Sequence, residues 1–153
     1  MTLALWIILV LFIFLASWLA AIERSLLMSS PVGLQHEMEM RGMSSRATWL
    51  SSQYESVTQS IAFARGICFL VVIASVASLL GGFVSIDYWT FISAIVISGG
   101  VLWICASVIG GAIAAAVPVE TICKSWGMLR FSMILGWIAR VPIAVTGEIV
   151  RRL

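Results

Sequence analysis

Two pairs of charged residues are the nearest approach to a chemical site in this sequence, and both stand where long apolar runs end. Glu23 and Arg24 follow the first such run, and Glu120 and Lys124, spaced i,i+4, follow the last. A carboxylate at a membrane boundary can supply oxygen to a hard cation, whereas an acid and a base one helical turn apart tie a helix surface together. His36 lies in a Gln-His-Glu stretch and reads as a solvated surface histidine. Met38, Met40 and Met43 carry soft sulfur that copper or haem iron can accept, but the same residues also pack irregular apolar gaps, which is the plainer reading. Cys68, Cys105 and Cys123 are too scattered to frame disulfides or a metal cluster and read as small buried hydrophobes. No phosphate loop, activated nucleophile or metal-ligand spacing emerges, so an enzyme is not expected.

The elements that must position these residues are set by composition. Hydrophobic residues make up 61% of the 153 and charged residues 10%, with mean hydropathy +1.10. A water-soluble domain of this size cannot hide so much apolar surface, so much of it must face lipid. The net charge of +2, with no dense basic patch beyond Arg151 and Arg152, gives no footprint for nucleic acid. The fold class expected is all-α integral membrane, a single domain over 1–153 with helices at about 2–22, 62–84 and 88–117. The run from Thr2 to Ile22 has no charge and spans about 30 Å, the thickness of a hydrocarbon core. It lacks the basic flank and short core of a cleaved signal. Arg65 is expected to snorkel at the start of the second crossing, and Tyr88 with Trp89 opens the third as an interfacial aromatic pair. The third run exceeds the ~20 residues a crossing needs, which implies tilt, a kink or a projecting end.

Between the first two crossings the chain has a pattern of its own. Ser29, Ser30 and Pro31 mark a break; Leu34 and Met38 lie i,i+4; Gly42 interrupts; Ala47, Leu50, Tyr54, Val57 and Ile61 recur at threes and fours. This predicts an amphipathic helical segment over about 34–60, lying against the membrane or the other helices and running into the second crossing. After Pro118 a juxtamembrane segment over about 121–150 is expected to be interfacial or broken, because Arg140 and Pro142 interrupt its apolar stretch. Arginines and lysines occur between crossings one and two and after crossing three, with none in the Ser85 to Tyr88 turn, which places the amino terminus outside and the carboxyl terminus in the cytoplasm. The expected location is the inner or plasma membrane.

Within the membrane runs, polar side chains are limited to hydroxyls such as Ser17, Ser75, Ser98 and Ser107, whose default is to bond their own backbone. Gly81 and Gly82, Gly99 and Gly100, and Gly110 and Gly111 allow helices to approach closely, giving either plain membrane-helix packing or a tight interface that hosts a homodimer or a cavity.

The pattern resembles the transmembrane (DUF21) domain of the CNNM/CorC family, which is linked to transport of magnesium and other divalent cations. The stretch ERSLLMSS is similar to that family's Ser-Gly-x-Glu-x-Ala-Leu segment: Glu23 matches its glutamate and Leu26 its leucine, and Ser25 stands where alanine is common. Leu34, Gly42 and Ala47 look like the loop that follows, Gly66 like the glycine of a Gly-Asn pair, and Pro118 like the proline of Gly-Glu-x-x-Pro-Lys. The resemblance implies three crossings, a homodimer and a Mg²⁺-like cargo, with cytoplasmic CBS domains usually following. The ion-coordinating positions differ. Ala20, Ala21 and Ile22 replace the small polar residues, Ile67 the asparagine, Ala114 and Ala115 the Gly-Glu pair, and Val119 the lysine. Apolar side chains offer no oxygen to a cation that wants six.

Two functions therefore stand side by side: the membrane domain of a divalent-cation transport or efflux protein, and a non-transporting structural or regulatory protein that dimerises or scaffolds a partner. Candidate ion-path or boundary residues are Glu23, Ser25, Gly66, Pro118 and Glu120. The orientation has a direct test. With the native cysteines replaced, a cysteine introduced at Ile86 should react with an impermeant maleimide on intact cells, and one at Ser45 should not; the reverse pattern would invert the topology.

Overall fold

The computed structural model describes residues 2–81 and 88–137. Among them the chain is all-α, with helices α1 (Thr2–Met28), α2 (Pro31–Met40), α3 (Ser44–Ser52), α4 (Tyr54–Gly81), α5 (Tyr88–Ile104), α6 (Gly110–Ala116), α7 (Pro118–Lys124) and α8 (126–137). A π-helical turn, Cys105–Ile109, joins α5 to α6. Among the described residues three stretches are long and apolar enough to cross a membrane: Leu3–Met28, Tyr54–Gly81 and Tyr88–Ala116. Residues 82–87, which include Gly82 and the turn before Tyr88, and the stretch from 138 onward with Arg140, Pro142, Arg151 and Arg152 lie outside the described residues.

Helix α1 does not stop at Ile22. It runs to Met28, because Leu26 is fully buried and the Ser25 hydroxyl bonds back to the Ala21 carbonyl within the helix. At 1.5 Å per residue its length is about 40 Å, some 10 Å more than the hydrocarbon core, so the extra turns carry Glu23, Arg24 and Ser25 past the apolar run. Helix α4 begins well before residue 62, at Tyr54, with the end of the loop stripe continuous with the crossing.

The loop follows its residue types closely. Ser30 caps α2, its Oγ accepting from the Gly33 amide at 3.0 Å, and Pro31 takes the first helical position, where no amide hydrogen is needed. The helix ends at Gly42, whose φ of 75° only glycine adopts without strain. There the Gly42 amide donates to the Glu39 carbonyl and the Met43 amide to that of Met38, both at 2.9 Å, the paired closure that satisfies carbonyls at a helix end. Leu34 and Met38 are buried, as are Ala47, Leu50, Val57 and Ile61 of the second stripe. The spacing thus marks the inward faces of α2, α3 and the start of α4. His36 is exposed, Met38 is buried and Met40 is exposed, so the three methionines do not converge.

Packing is densest at one end of the bundle. From Ala16 to Leu26, α1 is largely buried, whereas nearer its start Leu3, Trp6, Ile7, Val10, Leu11 and Phe14 are exposed. The core at the buried end joins Leu19, Ile22 and Leu26 of α1 to Leu34, Met38, Leu50, Ile61, Ile122 and Leu129. Helix α8 lies across α4 at Gly136, where an added Cβ would stand 2.9 Å from the Ser60 Cα. One flank of α8 meets Ser56 and Ser60 through Met133, and the other lines an apolar cavity of about 340 Å³ with Phe12, Leu15, Ala64 and Ile67.

The long third run is interrupted by the π-turn. Its inner face is Ala94, Ser98 and Leu102, then Gly110 and Ala114. A strict i+4 series drifts about 40° per step around an α-helix, and a wider π-turn takes back part of that drift. Through the turn at Cys105–Ile109 this face passes from α4, against which α5 packs, to α1, which holds α6.

Candidate functional site at the charged end of the first helix

Glu23 and Arg24 are neighbours on α1 but reach different helices. The Glu23 carboxylate forms an ion pair with the Arg65 guanidinium on α4. Arg65 therefore answers a specific carboxylate in addition to facing solvent; the two side chains are 14% and 33% exposed, so the pair sits partly out of water. Such a pair is screened less than a surface one, and removing one partner strands the other. Arg24 instead donates to the Ser107 carbonyl at 3.0 Å and approaches the Ser107 hydroxyl at 3.4 Å. Ser107 is in the π-turn.

The glycines after that turn explain how Arg24 fits. A Cβ on Gly111 would meet Arg24 Nη1 at 2.6 Å, and one on Gly110 would stand 3.2 Å from the Ala21 nitrogen. Gly110 lets the backbones of α1 and α6 come together, and Gly111 leaves the slot in which the guanidinium lies. Two further ties close the same region. The Tyr54 hydroxyl donates to the Leu26 carbonyl, one of the last-turn carbonyls that have no helical partner. The Trp18 indole donates to the Ser125 hydroxyl at 2.8 Å, between α7 and α8.

The other sequence candidates separate. Ser25 is fully buried, its hydroxyl spent on Ala21. Gly66 is exposed with open space where a Cβ would be, and the same space surrounds Gly99 and Gly100, so these glycines mark no close contact within the chain. Gly81 ends α4, half-buried. Pro118 opens α7 after Val117, which the proline forces out of helical geometry (φ −145°, ψ 62°). Glu120 and Lys124 form the expected ion pair at 2.7 Å, on a helix face apart from Glu23. Hydrogen bonding and charge from Lys124 hold the Glu120 carboxyl below its ordinary range, so the pair persists at neutral pH and is lost only as pH falls through that lowered value. Both partners are largely in water, and the contribution to stability is small.

Sequence reading missed the partners rather than the pair. Arg65, Ser107, Tyr54 and Ser125 complete the arrangement, and Gly136 makes the α8 crossing. The lone glycine of the 128–137 apolar stretch was the available signal for that crossing. Among the described residues no three His, Cys, Asp or Glu side chains gather as a metal site would require. Comparison with protein-family models, curated proteins and solved structures gives no match.

Arg24→Gln and Gly111→Leu should each lower the thermal midpoint in detergent by several degrees, the second by displacing the guanidinium. Gly66→Ala, in open space, should not lower it. Equal midpoints for Gly111→Leu and the parent would show that Arg24 does not occupy that slot.

Proposed function

We propose that this chain is a non-transporting membrane module that dimerises or holds a partner within the bilayer. The observation that carries the reading is the state of Glu23: the carboxylate best placed to take a cation is already neutralised by Arg65, and Arg24 occupies the adjacent groove between α1 and α6. A cation entering there would have to displace one guanidinium and pass another. The boundary charges fasten helices.

The third crossing is the surface offered to a second copy in the plane of the membrane. Only 17% of its most apolar window is buried within the chain, against 39% for the first crossing, and its outward face carries Val96, Gly100 and Trp103. Gly99 and Gly100, unused inside the chain, suit close approach of another helix. In this reading α8 lies along the cytoplasmic interface, with Phe131, Ile134 and Trp137 toward hydrocarbon and Arg130 toward headgroups.

A divalent-cation transport domain is the second reading, and two observations favour it. The Ser98 hydroxyl is buried on the inner face of α5 without a hydrogen-bond partner, and the π-turn a few residues on is a distortion of the kind that recurs at functional sites. Titration calorimetry with Mg²⁺ and light scattering of the detergent-solubilised chain separate the two. A protein mass of twice 16.6 kDa with no saturable Mg²⁺ heat to millimolar concentration is expected. Saturable heat abolished by Glu23→Ala would reject the scaffold reading in favour of transport.

A further inference from the structure

Where α3 meets α8, two arginines converge on one aromatic ring. The Arg46 guanidinium lies 5.5 Å from the Trp126 ring centroid and that of Arg130 lies 6.0 Å from it. Trp49 packs edge-on against the same ring, with centroids 5.2 Å apart. Both arginines are exposed, and among the described residues neither has a carboxylate partner; the one further polar contact of Arg46 is the Met43 sulfur at 3.9 Å. Two like charges within about 6 Å of a single ring repel, and their shared ring only partly offsets that repulsion. The field is reinforced nearby. Burial pushes the Cys123 thiol up, while the charges of Arg41 and Arg46 act on it in the opposite direction, which places both arginines within electrostatic reach of α7. The closest acid on that helix, Glu120, is taken by Lys124.

We propose that Arg46 and Arg130, held over the Trp126 indole, bind the phosphate of an anionic phospholipid headgroup. A guanidinium presents a planar fork of donors to phosphate oxygens, and a bound anion offsets the repulsion of two cations that have no carboxylate partner. The lipid source follows from what lies next to the charges. Immediately after Arg130, Phe131, Ile134 and Trp137 are 58%, 66% and 70% exposed at threefold spacing along α8, an apolar outer face that acyl chains can cover while the headgroup remains on the basic flank. Tryptophans at such a boundary keep an apolar body and a polar edge in their preferred surroundings. The Trp49 contact fixes α3 to α8, so the bound headgroup bridges two elements that are distant in the chain and adds stability to the folded state. This holds whether the chain scaffolds or transports.

The full chain, delipidated in detergent, is melted with added phosphatidylglycerol, phosphatidylcholine or inorganic phosphate, and lipid retention is read by native mass spectrometry. Phosphatidylglycerol should raise the midpoint by several degrees and remain as an adduct, and Arg46→Gln/Arg130→Gln should lose most of both effects, whereas Arg46→Lys/Arg130→Lys should keep part. An equal response to phosphatidylcholine, or an undiminished response in the Gln variant, would overturn the proposal. Full reproduction by inorganic phosphate would overturn the lipid source. If the Gln variant does not fold, competition on the unaltered protein decides: retention of the two lipids in equal amounts counts against the site.

Discussion

A carboxylate and a guanidinium placed side by side where a helix leaves hydrocarbon must both be satisfied before water becomes plentiful. A charged side chain at the centre of a crossing costs about 2.5–3.5 kcal/mol on insertion scales, and the cost falls steadily toward the boundary. Glu23 and Arg24 directly follow the uncharged run on a helix that continues beyond them, and both are half-buried within the protein. Each takes a partner on a different crossing: Arg65 on the second and the Ser107 carbonyl on the third. Two adjacent residues of one helix thereby fix the positions of the other two.

The rest of the bundle accommodates that arrangement. For the Ser107 carbonyl to face Arg24, the third crossing is distorted to a π-turn; for the guanidinium to reach it, residue 111 has no side chain; for α1 and α6 to come close enough, residue 110 has none either. The Tyr54 and Trp18 bonds then secure the end of α1 to α4 and to the α7–α8 corner. Burial follows the same geography. The region around Ile22 and Leu26 is closed over by α4, α6 and α7, with α2 and α3 adding to the same core, while the opposite half of α1 leaves its large apolar side chains exposed.

Local features were readable from the chain because local chemistry decides them. Ser30 and Pro31 start a helix and Gly42 ends one through backbone requirements that need no tertiary context. Leu34, Met38, Ala47, Leu50, Val57 and Ile61 disclosed their buried faces by period, and Glu120 with Lys124 by i,i+4 spacing. The pairings at the site were another matter. Arg24 and Ser107 are 83 residues apart, and the residue types allow many alternatives, since any boundary arginine can also be satisfied by water and headgroups. The uncharged run marks the apolar part of α1 but not its end, because a helix whose charges are paired has no reason to stop where they begin. Gly99 and Gly100 looked like Gly110 and Gly111 in sequence, but only the latter pair faces another helix of the same chain.

Glu23 and Arg65, on different helices, stabilise the fold as a pair. A double-mutant cycle on unfolding in mild detergent, with Glu23→Gln, Arg65→Gln and both together, measures this without reference to any ligand. Either single change should cost about 1–3 kcal/mol, allowing for the partial exposure of Arg65, and the double variant should cost clearly less than the two combined. Strict additivity of the two losses would contradict the account, because it would mean that the charges at the end of the first helix do not act on one another.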